Sequence, residues 1–210
     1  MKQSRKGLLL VVSGPAGVGK GSVNAALLSR HEDIRMSVSA TTRAPRPGEI
    51  DGVHYFFKTE DEFKRMIEEG AFLEYMHVFQ MNYYGTPKSF VDEELAEGRN
   101  VILEIDVQGA MKVKASYPDA VLIFIAPPSM SELKSRLIGR GTETPESIEK
   151  RFSTAFHELS YIDQYQYVVV NDVLDVAVKR MESIITAEKC RCSRNNELLD
   201  SLKGGKNHND

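Results

Sequence analysis

With 210 residues, 41% of them hydrophobic, the chain can bury one good core and carry a smaller attached lobe. No apolar run reaches the roughly 18 residues that span a bilayer, and MKQSRKGLLLVVSG holds too short an apolar stretch for a secretory leader, so a cytoplasmic location is expected. A net charge of only −3 excludes a general electrostatic surface for nucleic acid, so any phosphate must be met by local cations and backbone amides.

In chain order, the first element is a continuous apolar run, Leu8–Val12, read as a strand covered on both faces. It empties into SGPAGVGKGS, in which Gly14, Pro15, Ala16, Gly17, Val18, Gly19 and Lys20 spell G-x-x-x-x-G-K before a helix. In that arrangement glycines let backbone N–H groups and a helix N-terminus close around phosphate oxygens, and the lysine neutralises the terminal phosphates. A plain glycine-rich turn is the alternative, and the strand before and helix after weigh against it. The strict motif places a metal-touching Ser or Thr directly after the lysine; here Gly21 stands there and Ser22 follows, so the expected Mg²⁺ is held mainly through ATP phosphates and water.

Ile34–Val38 reads as a second strand, after which the rhythm breaks. From 37 to 90, short strands and turns alternate, a helix opens on a Thr59/Glu62 capping box and closes at Gly70, and MNYYGTP reads as a turn, which together predict an inserted substrate lobe. Alternation of strand and helix then resumes with strands at Val101–Ile105, Val121–Ile125 and Tyr167–Val170. Ser129 with Glu132, Thr144 before Pro145, and Asp172 are the predicted helix caps. The pattern predicts an α/β, three-layer fold with a five-stranded parallel core sheet, a core over 1–36 and 91–192, a lid over about 136–148, and an unstructured tail over 193–210. Cys190 and Cys192, one residue apart, suit neither an unstrained disulfide nor a zinc set, and the scattered histidines show no ligand spacing.

SGPAGVGKGS, SVSATTRAPRPGE, GAFLEYMHVFQMNYYGTP, LEIDVQGA, FIAPPS, RLIGRGTETPESIEKR and VVVND resemble, in order and spacing, the motifs of guanylate kinases over about residues 7–190. The resemblance implies a P-loop fold and a Mg²⁺-dependent transfer of a phosphoryl group from ATP to GMP and dGMP. It matches Arg43, Arg46, Tyr55 and Tyr84 to the GMP phosphate, and bidentate guanidinium geometry suits that dianion. For an isolated RxxR, the alternative is two surface arginines paired with Glu49 or Asp51. Glu74 and Asp106 match the acids facing guanine N1–H and the 2-amino group, with Ser39 and Thr86 as hydroxyl donors to O6; adenine would leave the acids unpaired. Arg136, Arg140 and Arg151 match lid arginines and Asn171 the adenine contact, while Lys20, Arg43, Arg140 and Arg151 would carry catalysis. An inactive guanylate-kinase-like interaction module, or a kinase with another acceptor nucleotide, are the alternatives.

Overall fold

The computed structural model describes residues 6–78, 81–138 and 145–204, with the backbone alone at 145–148 and 150. Its central sheet contains β1 (Leu9–Ser13), β2 (Ile34–Met36), β7 (Asn100–Glu104), β8 (Val121–Ala126) and β9 (Tyr167–Val170), all parallel, in the order β2-β7-β1-β8-β9. The five-stranded parallel sheet expected from the sequence is therefore present. The inner strands β7, β1 and β8 carry continuous apolar runs because both faces are covered, whereas the edge strands β2 and β9 expose Arg35 and Val168. Leu10 and Val12 of β1 join Ile123 and Ile125 of β8 on one side, while Leu9, Val11, Leu122 and Phe124 point to the other. Helices α1 (Lys20–Leu28), α5 (Met130–Ile138), α6 (Pro145–Leu159) and α7 (Leu174–Lys189) supply buried residues to the first face. Helices α3 (Lys88–Ala96) and α4 (Val107–Ser116) supply them to the second, which completes three layers.

A second sheet of four strands, in the order β4-β3-β6-β5, is separate from the central sheet and meets its core through Leu73 of β5. It comprises β3 (Ala40–Thr41), β4 (Phe56–Phe57), β5 (Phe72–Val78) and β6 (Asn82–Pro87). Helix α2 (Glu60–Glu68) opens on the expected box, with Thr59 accepting from the Glu62 N–H and the Glu62 carboxylate accepting from the Thr59 N–H. Phe63 of α2 is fully buried, stacked on Phe72 at 4.4 Å and Tyr83 at 5.3 Å between ring centroids.

Four local expectations are corrected. MNYYGTP is not a turn: Asn82–Pro87 is strand β6, paired antiparallel to both β5 and β3, and Tyr83 packs on His77 and Phe63. Asp172 does not cap α7, because its carboxylate bends to the adjacent Val173 N–H at 2.7 Å and the helix begins at Leu174. Ser129 accepts from the Glu132 N–H at 3.1 Å, yet the return half of that box is missing because Glu132 turns to Arg136 at 2.9 Å. Within the expected tail, a 3₁₀ turn at Cys192–Arg194 leads into α8 (Asn196–Gly204), whose Leu198, Leu199 and Leu202 recur at helical spacing. The Thr144 cap lies outside the described residues.

Phe63→Ala is expected to cost about 3–5 kcal/mol in the lobe, a cavity effect read as a lowered thermal midpoint.

Candidate active site

The order of the central sheet reverses direction at β1, and the site lies beyond the carboxyl ends of β1 and its neighbour β7. Residues 14–19 leave β1 as a loop, and Gly19 caps α1 at φ +93° with no side-chain acceptor for the first N–H groups. The first turn of α1 holds no acid, and its positive dipole end faces the opening. There a cavity of about 590 Å³ is lined by Lys20, Gly21, Ser22, Glu104 and Arg151, among others. Lys20 Nζ donates to the Gly14 carbonyl at 2.5 Å and to that of Pro15 at 3.4 Å, which folds the ammonium back over the loop.

Asn171 and Arg136 tie this loop to the core. Asn171, buried at the end of β9, donates through Nδ2 to the Val18 carbonyl at 2.8 Å. Arg136 donates through Nη1 to the Asn171 carbonyl at 3.0 Å and to that of Val18 at 3.4 Å, with Nε on Glu132. Both residues expected from the sequence to meet ATP are thus braces of the phosphate loop in this arrangement. Arg140 and the rest of 139–144 lie outside the described residues.

The second sheet brings Glu74 toward the same edge. A bulge in β5 between Phe72 and Glu74 breaks strict alternation, so Leu73 and Glu74 are both buried although consecutive. Thr86, opposite Glu74 on β6, places its Oγ1 2.8 Å from Glu74 Oε1 and donates to it. The hydroxyl expected to read guanine O6 therefore orients the acid. Asp106 caps α4, accepting the Gly109 N–H at 2.7 Å. A Cβ placed on Gly109 would lie 3.4 Å from Asp106 Oδ1 and 3.5 Å from Glu74 Oε2, so both carboxylates converge on one point. Burial pushes Glu74 above the usual carboxylate range; the Thr86 hydrogen bond opposes this and the nearby Asp106 charge adds to it. Ser39 lies just before β3, half-buried, and its carbonyl accepts the Phe56 N–H.

Arg43, Tyr55 and Tyr84 gather on the lobe's inner rim. The Arg43 guanidinium lies 5.4 Å from the Tyr55 ring centroid, and the Tyr55 and Tyr84 centroids are 6.0 Å apart. Arg43 also forms the ion pair raised as an alternative, through Nη2 to Glu49 at 2.8 Å, whereas Asp51 accepts the Phe57 N–H instead of an arginine. Arg46 is exposed in the same loop.

Two acids escaped the sequence reading. Glu104, at the end of β7, is exposed into the phosphate cavity and takes a 2.8 Å hydrogen bond from buried Asn24 of α1; its place two residues before Asp106, at the end of an apolar run, was the available signal. Glu158 of α6 accepts the Ala16 N–H and is pushed up by burial, with Lys20 acting against that shift. Nothing in its local sequence marks it, because α6 reaches the loop only through the tertiary fold.

Residues 6–188 match the family model described as Guanylate kinase. A guanylate kinase of Caldanaerobacter subterraneus subsp. tengcongensis is 56% identical over 203 residues, covering 97% of this chain and 98% of that protein. One from Clostridium perfringens (strain SM101) is 55% identical over 206 residues, covering 98% and 95%. The crystal structure of guanylate kinase from Anaplasma phagocytophilum superposes with a TM-score of 0.72 at 35% identity, covering 94% of this chain and 95% of that one. With a phosphate loop, a converging pair of acids and end-to-end similarity of this degree, the chain belongs to the guanylate kinase family.

Proposed function

We propose that this guanylate kinase transfers the terminal phosphoryl group of ATP directly to GMP across the carboxyl edge of β1 and β7, with the ATP phosphates on the N-terminus of α1 and guanine against Glu74 and Asp106. One observation carries the reading: the phosphate loop and the acid pair are neighbours, with Ser13 Oγ at the loop's root 3.5 Å from the Asp106 carbonyl. Two bound nucleotides would then face each other for in-line transfer without a covalent intermediate.

In this reading the backbone amides of 14–20 and the Lys20 ammonium hold the β- and γ-phosphates. Arg43, Arg46, Tyr55 and Tyr84 hold the GMP phosphate, and Arg151, which lines the phosphate cavity, joins Arg140 in supplying positive charge as the phosphoryl group moves. Arg136 and Asn171 keep the loop in shape, with Asn171 Oδ1 toward the adenine amine. Ser39 donates to guanine O6, and Thr86 keeps Glu74 aimed.

The cavity's oxygen donors fit Mg²⁺. The loss of a hydroxyl at Gly21 is offset by Ser22 and by Glu104, a hard carboxylate that Asn24 holds in the same cavity. Ser22 and Glu104 would hold the ion together with water and ATP oxygens, and when bound it neutralises charge on the transferring phosphates. An inactive interaction module is not favoured, since relatives named guanylate kinase match this chain from end to end.

Turnover of GMP, dGMP, AMP, UMP and dTMP, each with ATP and with and without Mg²⁺, tests this reading: ADP should form with the guanine nucleotides, and AMP turnover equal to that of GMP would refute it. Gly19→Ala forces a side chain into a left-handed backbone with its Cβ 2.6 Å from Asn171 Nδ2; KM for ATP should rise at least about tenfold, checked by steady-state kinetics. Glu74→Gln should raise KM for GMP by about ten- to a hundredfold while KM for ATP holds. Because the folded-state pKa of Glu74 is raised, the native protein retains this proton more tightly than the unfolded chain, and stability falls as pH rises between the two values. Two outcomes follow: Glu74→Gln melts higher than wild type at pH 7, and the wild-type advantage in GMP KM over Glu74→Gln shrinks as acidification protonates Glu74. Taking the ratio of the two proteins cancels the titration of the GMP phosphate itself.

A further inference from the structure

The loop that carries Arg43 and Arg46 is built around Glu49. Arg46, Pro47, Gly48 and Glu49 form a reverse turn: the Glu49 N–H donates to the Arg46 carbonyl at 3.0 Å, Pro47 is the second residue, and Gly48, the third, sits at φ +87°. The Glu49 side chain folds back over this turn, and its Oε2 accepts the Arg46 N–H at 2.7 Å. The same carboxylate takes Arg43 Nη2 on both oxygens, at 2.8 and 2.9 Å. Arg43 is also fixed by Nη1 on the Ala44 carbonyl at 2.7 Å and by the faces of Tyr55 and Phe57.

We infer that Glu49 is a positioning residue for the acceptor phosphate: it braces the Arg43 guanidinium and the Arg46 backbone in one rigid turn, so that the phosphate meets a preformed arginine pair. The inference rests on the reading of Arg43 and Arg46 as the GMP-phosphate residues.

A carboxylate on a phosphate-binding arginine could instead be a surrogate anion that the phosphate must displace. Two features oppose that. The Glu49 carboxylate is anchored by the Arg46 N–H as well as by Arg43 Nη2 on both oxygens, so swinging it away would break three hydrogen bonds together. It also contacts only Nη2 of Arg43, while the guanidinium interacts in addition with Tyr84, another residue read as a phosphate donor. The side chains of Arg43 and Glu49 are only 16% and 17% exposed, so the pair is held by its surroundings and is unlike the freely solvated ion pairs that contribute little. Arg43, and then the Arg46 N–H, hold Glu49 below the usual carboxylate range, so the brace keeps its charge into the acid range. A negative charge this close to a phosphate dianion opposes binding electrostatically. What it supplies is order, since a long arginine side chain otherwise loses considerable rotamer freedom when it binds.

Glu49→Ala and Glu49→Gln, compared with wild type, decide between the two roles. KM for GMP, KM for ATP, calorimetric affinity for GMP and for guanosine, and the thermal midpoint are the readouts. The brace predicts that Glu49→Ala weakens GMP about ten- to a hundredfold and leaves guanosine affinity and KM for ATP unchanged. Glu49→Gln, which keeps an acceptor for the Arg46 N–H, should fall between. Tighter GMP binding by Glu49→Ala, or affinity within twofold of wild type, would overturn the inference. Should Glu49→Ala fail to fold, the same comparison in Glu49→Gln decides it. If wild type itself binds guanosine as tightly as GMP, the error lies in the assignment of Arg43 and Arg46 to the phosphate, not in the role of Glu49.

Discussion

The site is governed by backbone donors that have no partner within the helix they begin. The opening N–H groups of α1 meet neither a capping side chain nor a first-turn acid. Such an end is costly to bury unless a strongly negative group arrives to take the bonds. The neighbours hold the loop without filling it: Lys20 folds onto the Gly14 carbonyl, Asn171 and Arg136 grip Val18, and Glu158 takes the Ala16 amide. Each of these contacts shapes the loop from outside and leaves the mouth of the helix open.

The lobe applies a different electrostatic logic, in which acids of the same chemistry receive opposite surroundings. Glu49 lies against a guanidinium and a backbone amide and is drawn toward the charged form. Glu74 lies in a nearly dry strand pair with one hydroxyl partner and another acid beside it, and is drawn toward the neutral form. The first arrangement suits a fixed counter-charge that orients cations. The second suits an acceptor whose ionised state is best satisfied by a ligand bringing two N–H groups.

Much of this was legible along the chain because it is local or periodic. Continuous runs such as Leu8–Val12 and Val121–Ile125 state their own burial, the Thr59/Glu62 box is complete within four residues, and the Gly14–Lys20 spacing announces its anion. Elements set by long-range pairing were not legible. Tyr83, Tyr84 and Gly85 carry turn-like composition, and only pairing with β3 on one side and β5 on the other makes them a strand. Asp172 has the composition of a cap, but its carboxylate closes on the next residue's N–H. Asn24, Glu104 and Glu158 reach the site from α1, β7 and α6, and no local spacing connects them. Thr86 could be assigned a hydroxyl role from its motif, but not the partner that uses it.

The one-residue bulge of β5 carries a consequence for how the lobe is seated on the core. Phe72 pairs with Pro87 and Glu74 with Thr86, so Leu73 is the extra residue, and removing it would leave Glu74 opposite Thr86 in regular pairing. The face that Glu74 presents is thus set by its cross-strand partner, and the extra residue serves instead to turn the apolar Leu73 into the core beside the acid. Shortening the strand by that residue would keep the acid beside its hydroxyl partner and take away the apolar side chain that seats this strand against the second core face.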